Sequence, residues 1–137
     1  MGLVLDSTVF IAAERQGLSA RQTPGDILSR FPGQPFAIST VTLMELSHGV
    51  ARANTAQRAI TRRQYLSDLI AASPIIPVTV SIALRAGQID GESTARGVRL
   101  AIFDLLIGVT ALELGYRVAT ANLRHFQMIP GLGIVPF

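Results

Sequence analysis

The sequence predicts an α/β protein in which a central parallel β-sheet of about five short strands is flanked by helices in three layers. Short apolar runs alternate with helix-length segments, which is typical of a parallel sheet covered on both faces. The chain has 137 residues, of which 49% are hydrophobic and 15% charged, as in a compact domain. It shows no repeat, low-complexity tract or linker, so we predict one domain over residues 1–137.

The N-terminal part is predicted to form a strand and two helices. Residues 3–5 are an apolar run that predicts the first strand. A helix follows over residues 9–14, with Asp6 or Ser7 as its N-cap. The Thr-Pro pair that opens residues 23–31 is typical of an N-cap followed by proline in the first turn, and a Pro-Gly pair ends this second helix.

The middle of the chain is predicted to form two strands and a helical hairpin. Residues 35–39 predict the second strand, and residues 40–53 and 55–72 predict two helices that separate at Asn54. Residues 75–78 predict a third strand. This strand belongs at the edge of the sheet, because its proline cannot donate a hydrogen bond to a neighbouring strand.

The C-terminal part is predicted to hold two helices and the last two strands. Residues 81–96 favour a helix despite two internal glycines. Residues 102–114 are apolar on nearly all sides, which indicates a buried helix, and Gly115 ends it. Residues 117–121 and 133–135 predict the fourth and fifth strands.

Missing residue types exclude several classes of protein. The absence of cysteine excludes disulfides and thiolate chemistry and fits the reducing cytoplasm. The absence of lysine excludes P-loop proteins and Schiff-base enzymes. Two histidines cannot build a three-histidine zinc site, and the chain has no G-x-S-x-G motif of an α/β-hydrolase. Carboxylate chemistry remains.

The charge and hydropathy patterns predict a cytoplasmic protein with a polyanionic partner. All twelve basic residues are arginine, the formal net charge is +3, and the sequence pI is 10.6, which favours RNA or an acidic protein as partner. Genome base composition explains the absence of lysine equally well. The N-terminal segment has no basic region and is interrupted by Asp6, unlike a signal peptide. The apolar run at residues 105–112 is shorter than the roughly 20 residues that span a membrane, so no membrane association is expected.

Four polar side chains are predicted to meet at one edge of the sheet. Asp6 ends the first strand, Glu45 lies in the helix after the second, and Asn122 follows the fourth. Active groups of parallel sheets collect at the carboxyl ends of the strands. Asp104 lies in the first turn of the predicted helix 102–114, which places it at the same edge.

This cluster predicts a metal-dependent phosphodiesterase site. An ionised carboxylate in a segment as apolar as that around Asp104 is costly unless it is paired or binds a cation, and residues 100–116 contain no lysine or arginine to pair with it. Oxygen ligands suit Mg²⁺ or Mn²⁺, which activate water for phosphodiester hydrolysis. Taken singly, Asp6 could serve only as an N-cap and Glu45 could be a solvated helix residue.

Other charged residues have weaker functional interpretations. His48 follows Glu45 by one helical turn, but a single helical histidine is more often a packing or surface residue. Asp90 and Glu92 lie in a Gly-containing segment, and either could approach the metal. Three arginines of the helix at 55–72 are candidate phosphate contacts, although such runs are usually just solvated: Arg58, Arg62 and Arg63.

Four motifs in order resemble PIN-domain proteins, and most closely the VapC toxins of bacterial toxin–antitoxin pairs. They are Leu3-Val4-Leu5-Asp6-Ser7-Thr8, Val41-x-x-x-Glu45-Leu46-x-x-Gly49, Phe103-Asp104-x-Leu-Ile-Gly, and Ala119-Thr120-x-Asn122-x-x-His125-Phe126. The resemblance implies a five-stranded parallel sheet and a Mg²⁺- or Mn²⁺-dependent endoribonuclease acting on RNA such as tRNA or rRNA. It also implies a homodimer and a cognate VapB-type antitoxin.

The resemblance assigns Asp6, Glu45 and Asp104 to the family's first three acidic metal-site positions. Relatives typically carry a fourth Asp where Asn122 or His125 stands here, and this chain has no Asp at either position. The lower negative charge predicts one metal ion rather than two. We expect Asn122 to assist catalysis through its carbonyl oxygen or a hydrogen bond to phosphate, and the hydroxyl groups of Ser7 and Thr120 could do likewise.

Three alternatives compete with a toxin nuclease. An aspartate phosphotransfer or receiver protein fits Asp6 after a strand but lacks the lysine that those proteins use. A PIN-like binding module with a decayed site fits the missing fourth acid, and a PIN nuclease of RNA processing fits the same motifs. The apolar helices between residues 40 and 72 are the expected antitoxin and dimer surfaces.

Overall fold

The computed structural model describes residues 1–137, except for the side chain of Leu28. It contains one five-stranded sheet in which every pairing is parallel, in the order β3-β2-β1-β4-β5, so the predicted α/β fold is confirmed. The strands are β1 (Leu3–Leu5), β2 (Phe36–Ser39), β3 (Ile75–Ile76), β4 (Arg117–Thr120) and β5 (Ile134–Pro136). The third strand lies at the edge of the sheet, as its proline predicted, but is shorter than expected.

The six predicted helices are present with boundaries shifted by a few residues. The helices are α1 (Ser7–Arg15), α2 (Gln22–Arg30), α3 (Thr40–Ala51), α4 (Ala56–Ala72), α5 (Val80–Ala95), α6 (Ile102–Leu114) and α7 (Leu123–Gln127). The last was not predicted, because a five-residue helix is too short to show a hydrophobic period. In α5 the helix continues through both glycines.

The start of α2 corrects the prediction that Thr23 is its N-cap. Ser19 and Gln22 form reciprocal bonds instead: the Ser19 N–H donates to Gln22 Oε1 at 2.8 Å, and the Gln22 N–H donates to Ser19 Oγ at 3.2 Å. This is the pattern of a capping box. The Thr23 hydroxyl lies inside the first turn and donates to the Ser19 carbonyl at 2.8 Å.

The hydrophobic core consists of two layers, one on each face of the sheet. Because side chains alternate along a strand, Val4 and Val118 point into one layer and Leu3 and Leu5 into the other. The first layer is completed by α5, α6 and α7, and the second by α1, α2 and α4. The sheet is therefore covered on both sides.

The topology brings several chain segments to the carboxyl edge of the sheet. The chain leaves β1 toward β2 on one side and later returns to place β4 on the other, so a crevice opens between the ends of β1 and β4. The helix α6 runs back antiparallel to β4, and its first turn therefore lies at this same edge. None of the described helices is long and apolar enough to cross a membrane.

Candidate active site

Asp6 follows β1 and is 2% exposed. Its backbone occupies the N-cap position of α1, but its side chain makes no capping hydrogen bond. The hydroxyls of Thr8 and Thr120 instead donate to its Oδ2 at 2.9 and 2.8 Å. The carboxylate is therefore oriented toward the crevice between β1 and β4 rather than used to cap the helix.

Backbone amides fix the two hydroxyls that hold Asp6. The N–H of Ala121 donates to Thr8 Oγ1 at 3.0 Å, and the N–H of Asn122 donates to Thr120 Oγ1 at 2.8 Å. Each hydroxyl accepts a hydrogen bond from the backbone and donates one to Asp6. Sequence reasoning expected support from Thr120 but missed Thr8, whose only signal is its position two residues after Asp6.

Glu45 lies in the second turn of α3, which directly follows β2, and carries an unsatisfied polar atom. Its Oε1 is buried and has no hydrogen-bond partner among the described residues. Burial, with the nearby carboxylates of Asp6 and Asp104, raises the pKa of Glu45 to about 7, and the Ser7 hydroxyl offsets this in part. A simple solvated helix residue would show neither feature.

The raised pKa predicts that Glu45 destabilises the metal-free protein at alkaline pH. The pKa of Glu45 is 4.5 when unperturbed and about 7 in the folded protein. The stability that protonated Glu45 contributes is therefore fully present below pH 4.5 and is lost as pH rises through 7. We expect Glu45→Gln to be more stable than wild type by about 1 to 2 kcal/mol at pH 8, after allowance for solvent screening. At pH 5 the two should be similar.

Urea unfolding in EDTA at both pH values measures this difference. Glu92→Gln is the control, because Glu92 is exposed on α5 and bonded only to the Gln88 side chain at 3.1 Å. An identical stability difference between wild type and Glu45→Gln at pH 5 and pH 8 would contradict the assignment.

Asp104 lies in the first turn of α6 and pairs with a histidine from α7. Its Oδ2 is 2.8 Å from His125 Nδ1, and its side chain is 14% exposed. Burial raises the pKa of Asp104, the hydrogen bond from His125 opposes this, and the charge of Asp6 adds to the increase. The helix α7, which sequence reasoning missed, therefore supplies a contact at the site.

A cleft of about 400 Å³ contains most of the predicted site residues. Glu45, Asp104, Asn122 and His125 line it, together with residues 101–103. Asp6 is buried and is not among the lining residues, but its charge raises the pKa of both other carboxyl groups. The structure thus brings all four predicted residues to one place and adds His125.

Other sequence candidates lie elsewhere. Arg58 donates to Asn54 Oδ1 at 3.2 Å, and Arg62 pairs with Glu14 Oε1 at 2.9 Å. His48 is exposed and lines a larger groove between α1, α3 and α4. Two further acids, Asp90 and Glu92, lie in α5 and do not line the cleft.

The donor set of the cleft fits a hydrated divalent cation. Among the described residues, no three His, Asp or Glu side chains already stand close enough to hold a metal between them. The three carboxylates repel one another, and hydroxyl and imidazole groups hold Asp6 and Asp104 in place. Mg²⁺ keeps several waters and needs only one or two direct carboxylates, and the unpartnered Glu45 Oε1 can accept from such a water.

The fold is a parallel α/β sheet, and the carboxyl groups of the candidate site lie at the carboxyl edge, where open sheets of this kind bind their ligands. The model of the PIN domain family matches residues 3–131. Ribonuclease VapC1 of Rickettsia felis is 29% identical over 135 residues, covering 98% of this chain and 96% of that protein. The tRNA(fMet)-specific endonuclease VapC of Salmonella typhimurium is 31% identical over 97 residues, 71% of each chain.

A solved structure agrees with the fold. The crystal structure of VapBC2 from Rickettsia felis bound to a DNA fragment from their promoter matches with a TM-score of 0.80 at 21% identity, covering 100% of this chain and 99% of that one. The chain therefore belongs to the PIN-domain family and, within it, to the VapC-type ribonucleases. The family resemblance read from the four motifs is confirmed.

Proposed function

We propose that this protein is an endoribonuclease, the toxin of a toxin–antitoxin pair, and that it cuts RNA with the help of Mg²⁺ or Mn²⁺. The observation that carries the proposal is the convergence of Asp6, Glu45 and Asp104, with one buried oxygen of Glu45 left without a partner. Asp6 and Asp104 are the proposed metal residues, and Glu45 is both a metal residue and a proton acceptor.

The chain's own residues have distinct roles in the proposed reaction. When bound, the cation supplies positive charge beside the scissile phosphate and lowers the pKa of water. Glu45 Oε1 accepts a proton from the attacking water, and its lack of a hydrogen-bond partner leaves that oxygen free for this role. The Asn122 side chain lines the same cleft and can hydrogen-bond a phosphate oxygen.

Cleavage of purified RNA tests the proposal. Total RNA with its structured tRNAs is incubated with the protein in Mg²⁺ or Mn²⁺ and in EDTA, beside Glu45→Gln and the surface control Asp68→Asn. Discrete cuts that need the cation, persist in Asp68→Asn and vanish in Glu45→Gln are expected. RNA binding without cleavage would instead favour the binding module, which the lack of a fourth acid also fits.

Two exposed arginines next to the cleft are the proposed RNA backbone contacts. Arg124 precedes His125 in α7, and Arg99 lies two residues before the cleft segment 101–103. We expect Arg124→Ala to raise KM about 3- to 10-fold at low salt and to leave kcat nearly unchanged, because a phosphate contact acts mainly on affinity. Arg63→Ala, which changes an exposed residue of α4, is the control. An equal rise in KM in Arg63→Ala would indicate that RNA also binds along α4.

A VapB-type antitoxin is the proposed protein partner. A groove of about 780 Å³ lies between α1, α3 and α4 and extends to Ser7 and Glu45 at the active site. Two of these helices, α3 and α4, lie between residues 40 and 72, where the sequence predicted the antitoxin surface, and α1 was not part of that prediction. Two of its apolar residues, Ile11 and Met44, are 42% and 47% exposed.

Substitution in this groove tests the partner surface. We expect Ile11→Asp to reduce co-purification with the antitoxin encoded beside the toxin at least about 10-fold, because it places a charge in an apolar contact. Ile70→Asp on α4 is a matched control, since Ile70 is 45% exposed and lies outside the groove. Equal loss in both variants would argue against the groove.

We also propose that the chain acts in the cytoplasm as a homodimer. Two large apolar side chains on α5, Val80 and Leu84, are 77% and 71% exposed, and a second copy would cover them. The sequence had placed the dimer surface between residues 40 and 72. Because these apolar side chains are exposed on α5, we propose α5 as the dimer surface instead. Sedimentation of wild type against Leu84→Asp measures the association.

A further inference from the structure

Asp104 contacts His125, and His125 in turn contacts Asn122; neither partner carries a negative charge. His125 Nδ1 lies 2.8 Å from Asp104 Oδ2, and Asn122 Nδ2 lies 3.0 Å from the same Nδ1. A carboxylate can only accept, so Nδ1 carries the hydrogen and donates it to ionised Asp104.

We propose that His125 is a positioning residue that fixes Asp104 for the cation, and that the cleft binds a single divalent ion per chain. This inference rests on the proposed metal-dependent function. His125 holds one oxygen of Asp104 and leaves the other for a ligand. Because Nδ1 is engaged in this contact, His125 acts through Asp104 rather than as a ligand through that atom.

The charge of the cleft supports one ion. Asp6, Glu45 and Asp104 provide at most three negative charges, and one divalent cation reduces the sum to minus one. A second cation would need further oxygen ligands, because Mg²⁺ and Mn²⁺ prefer carboxylates, carbonyls and water. At the position facing Asp104 the chain places an imidazole instead.

Burial separates this contact from an ordinary surface pair. His125 is 45% exposed, but its partner Asp104 is only 14% exposed, and both line the cleft. Hydrogen bonds that orient a metal ligand typically change metal affinity about 10- to 100-fold. The contact also links α7 to α6, so the position of the short helix α7 determines how Asp104 is held.

Mn²⁺ titration calorimetry of the full chain tests the inference without any activity measurement. We expect wild type to bind one Mn²⁺. His125→Ala should weaken binding about 10- to 100-fold, while His125→Asn, which keeps an N–H close to the Nδ1 position, should stay near wild type. His48→Ala is the control, because His48 is exposed and outside the cleft.

His125→Asp tests the charge argument in the opposite direction. A carboxylate at this position should allow a second Mn²⁺ to bind, and a variant that still binds one ion would overturn the charge argument. Two ions in wild type would overturn the single-ion proposal, and unchanged affinity in His125→Ala would overturn the positioning role. If wild type binds no Mn²⁺, the proposed metal-dependent function itself fails, which distinguishes the two failures.

Discussion

Asp6→Asn and Asp104→Asn are each expected to lower RNA cleavage by about two to three orders of magnitude while leaving the fold intact. Both side chains are embedded in the site: hydroxyl groups hold Asp6, and His125 holds Asp104. The amide preserves size and much of the hydrogen bonding but removes the charge that attracts a cation. The loss should therefore appear in kcat and in Mn²⁺ affinity together.

The matched control for these variants is Asp68→Asn. Asp68 is exposed on α4, accepts a hydrogen bond from the Gln64 side chain at 2.9 Å, and is outside the cleft. Cleavage rates, circular dichroism and thermal unfolding of all three variants separate catalysis from folding. Full activity in both Asp6→Asn and Asp104→Asn would contradict the proposed site.

The fold could be predicted largely from local patterns. The strands β1, β2 and β4 and the helix α6 are apolar segments bounded by turn residues, and their alternation alone indicates a parallel sheet. The start of α2 could not be placed, because a Thr-Pro pair and a Ser-x-x-Gln capping box compete within six residues. Only the folded backbone shows which one forms.

The candidate site was predictable where a residue's position follows from topology. Asp6 and Asn122 follow strands, and Asp104 begins a helix that returns to the same edge, so convergence follows from the parallel sheet. The partners of these residues depend on contacts between distant segments. The hydroxyl groups of Thr8 and Thr120 are in contact although they are 112 residues apart in sequence. His125 contacts Asp104 from α7, a helix too short to show a periodic hydrophobic pattern.

Phe126→Ala is expected to produce the largest loss of stability, about 3 to 5 kcal/mol in the free energy of unfolding. Phe126 is fully buried, belongs to the core layer formed with α5 and α6, and packs close to Gly108 of α6. Removing the ring leaves a cavity that the surrounding side chains cannot close. Small domains have a total stability of about 5 to 15 kcal/mol, so much of it would be lost.

The same substitution should also reduce catalysis in the molecules that remain folded. The helix α7 has five residues, and Phe126 is its only fully buried side chain, so the ring anchors both Asn122 and His125 at the cleft. For stability, Phe103→Ala is the matched control, because Phe103 is 50% exposed and its removal leaves no core cavity; it lines the cleft, so it is not a control for catalysis. Urea unfolding of the two variants measures the difference. A loss below about 1 kcal/mol in Phe126→Ala would mean that α7 is held by its polar contacts instead.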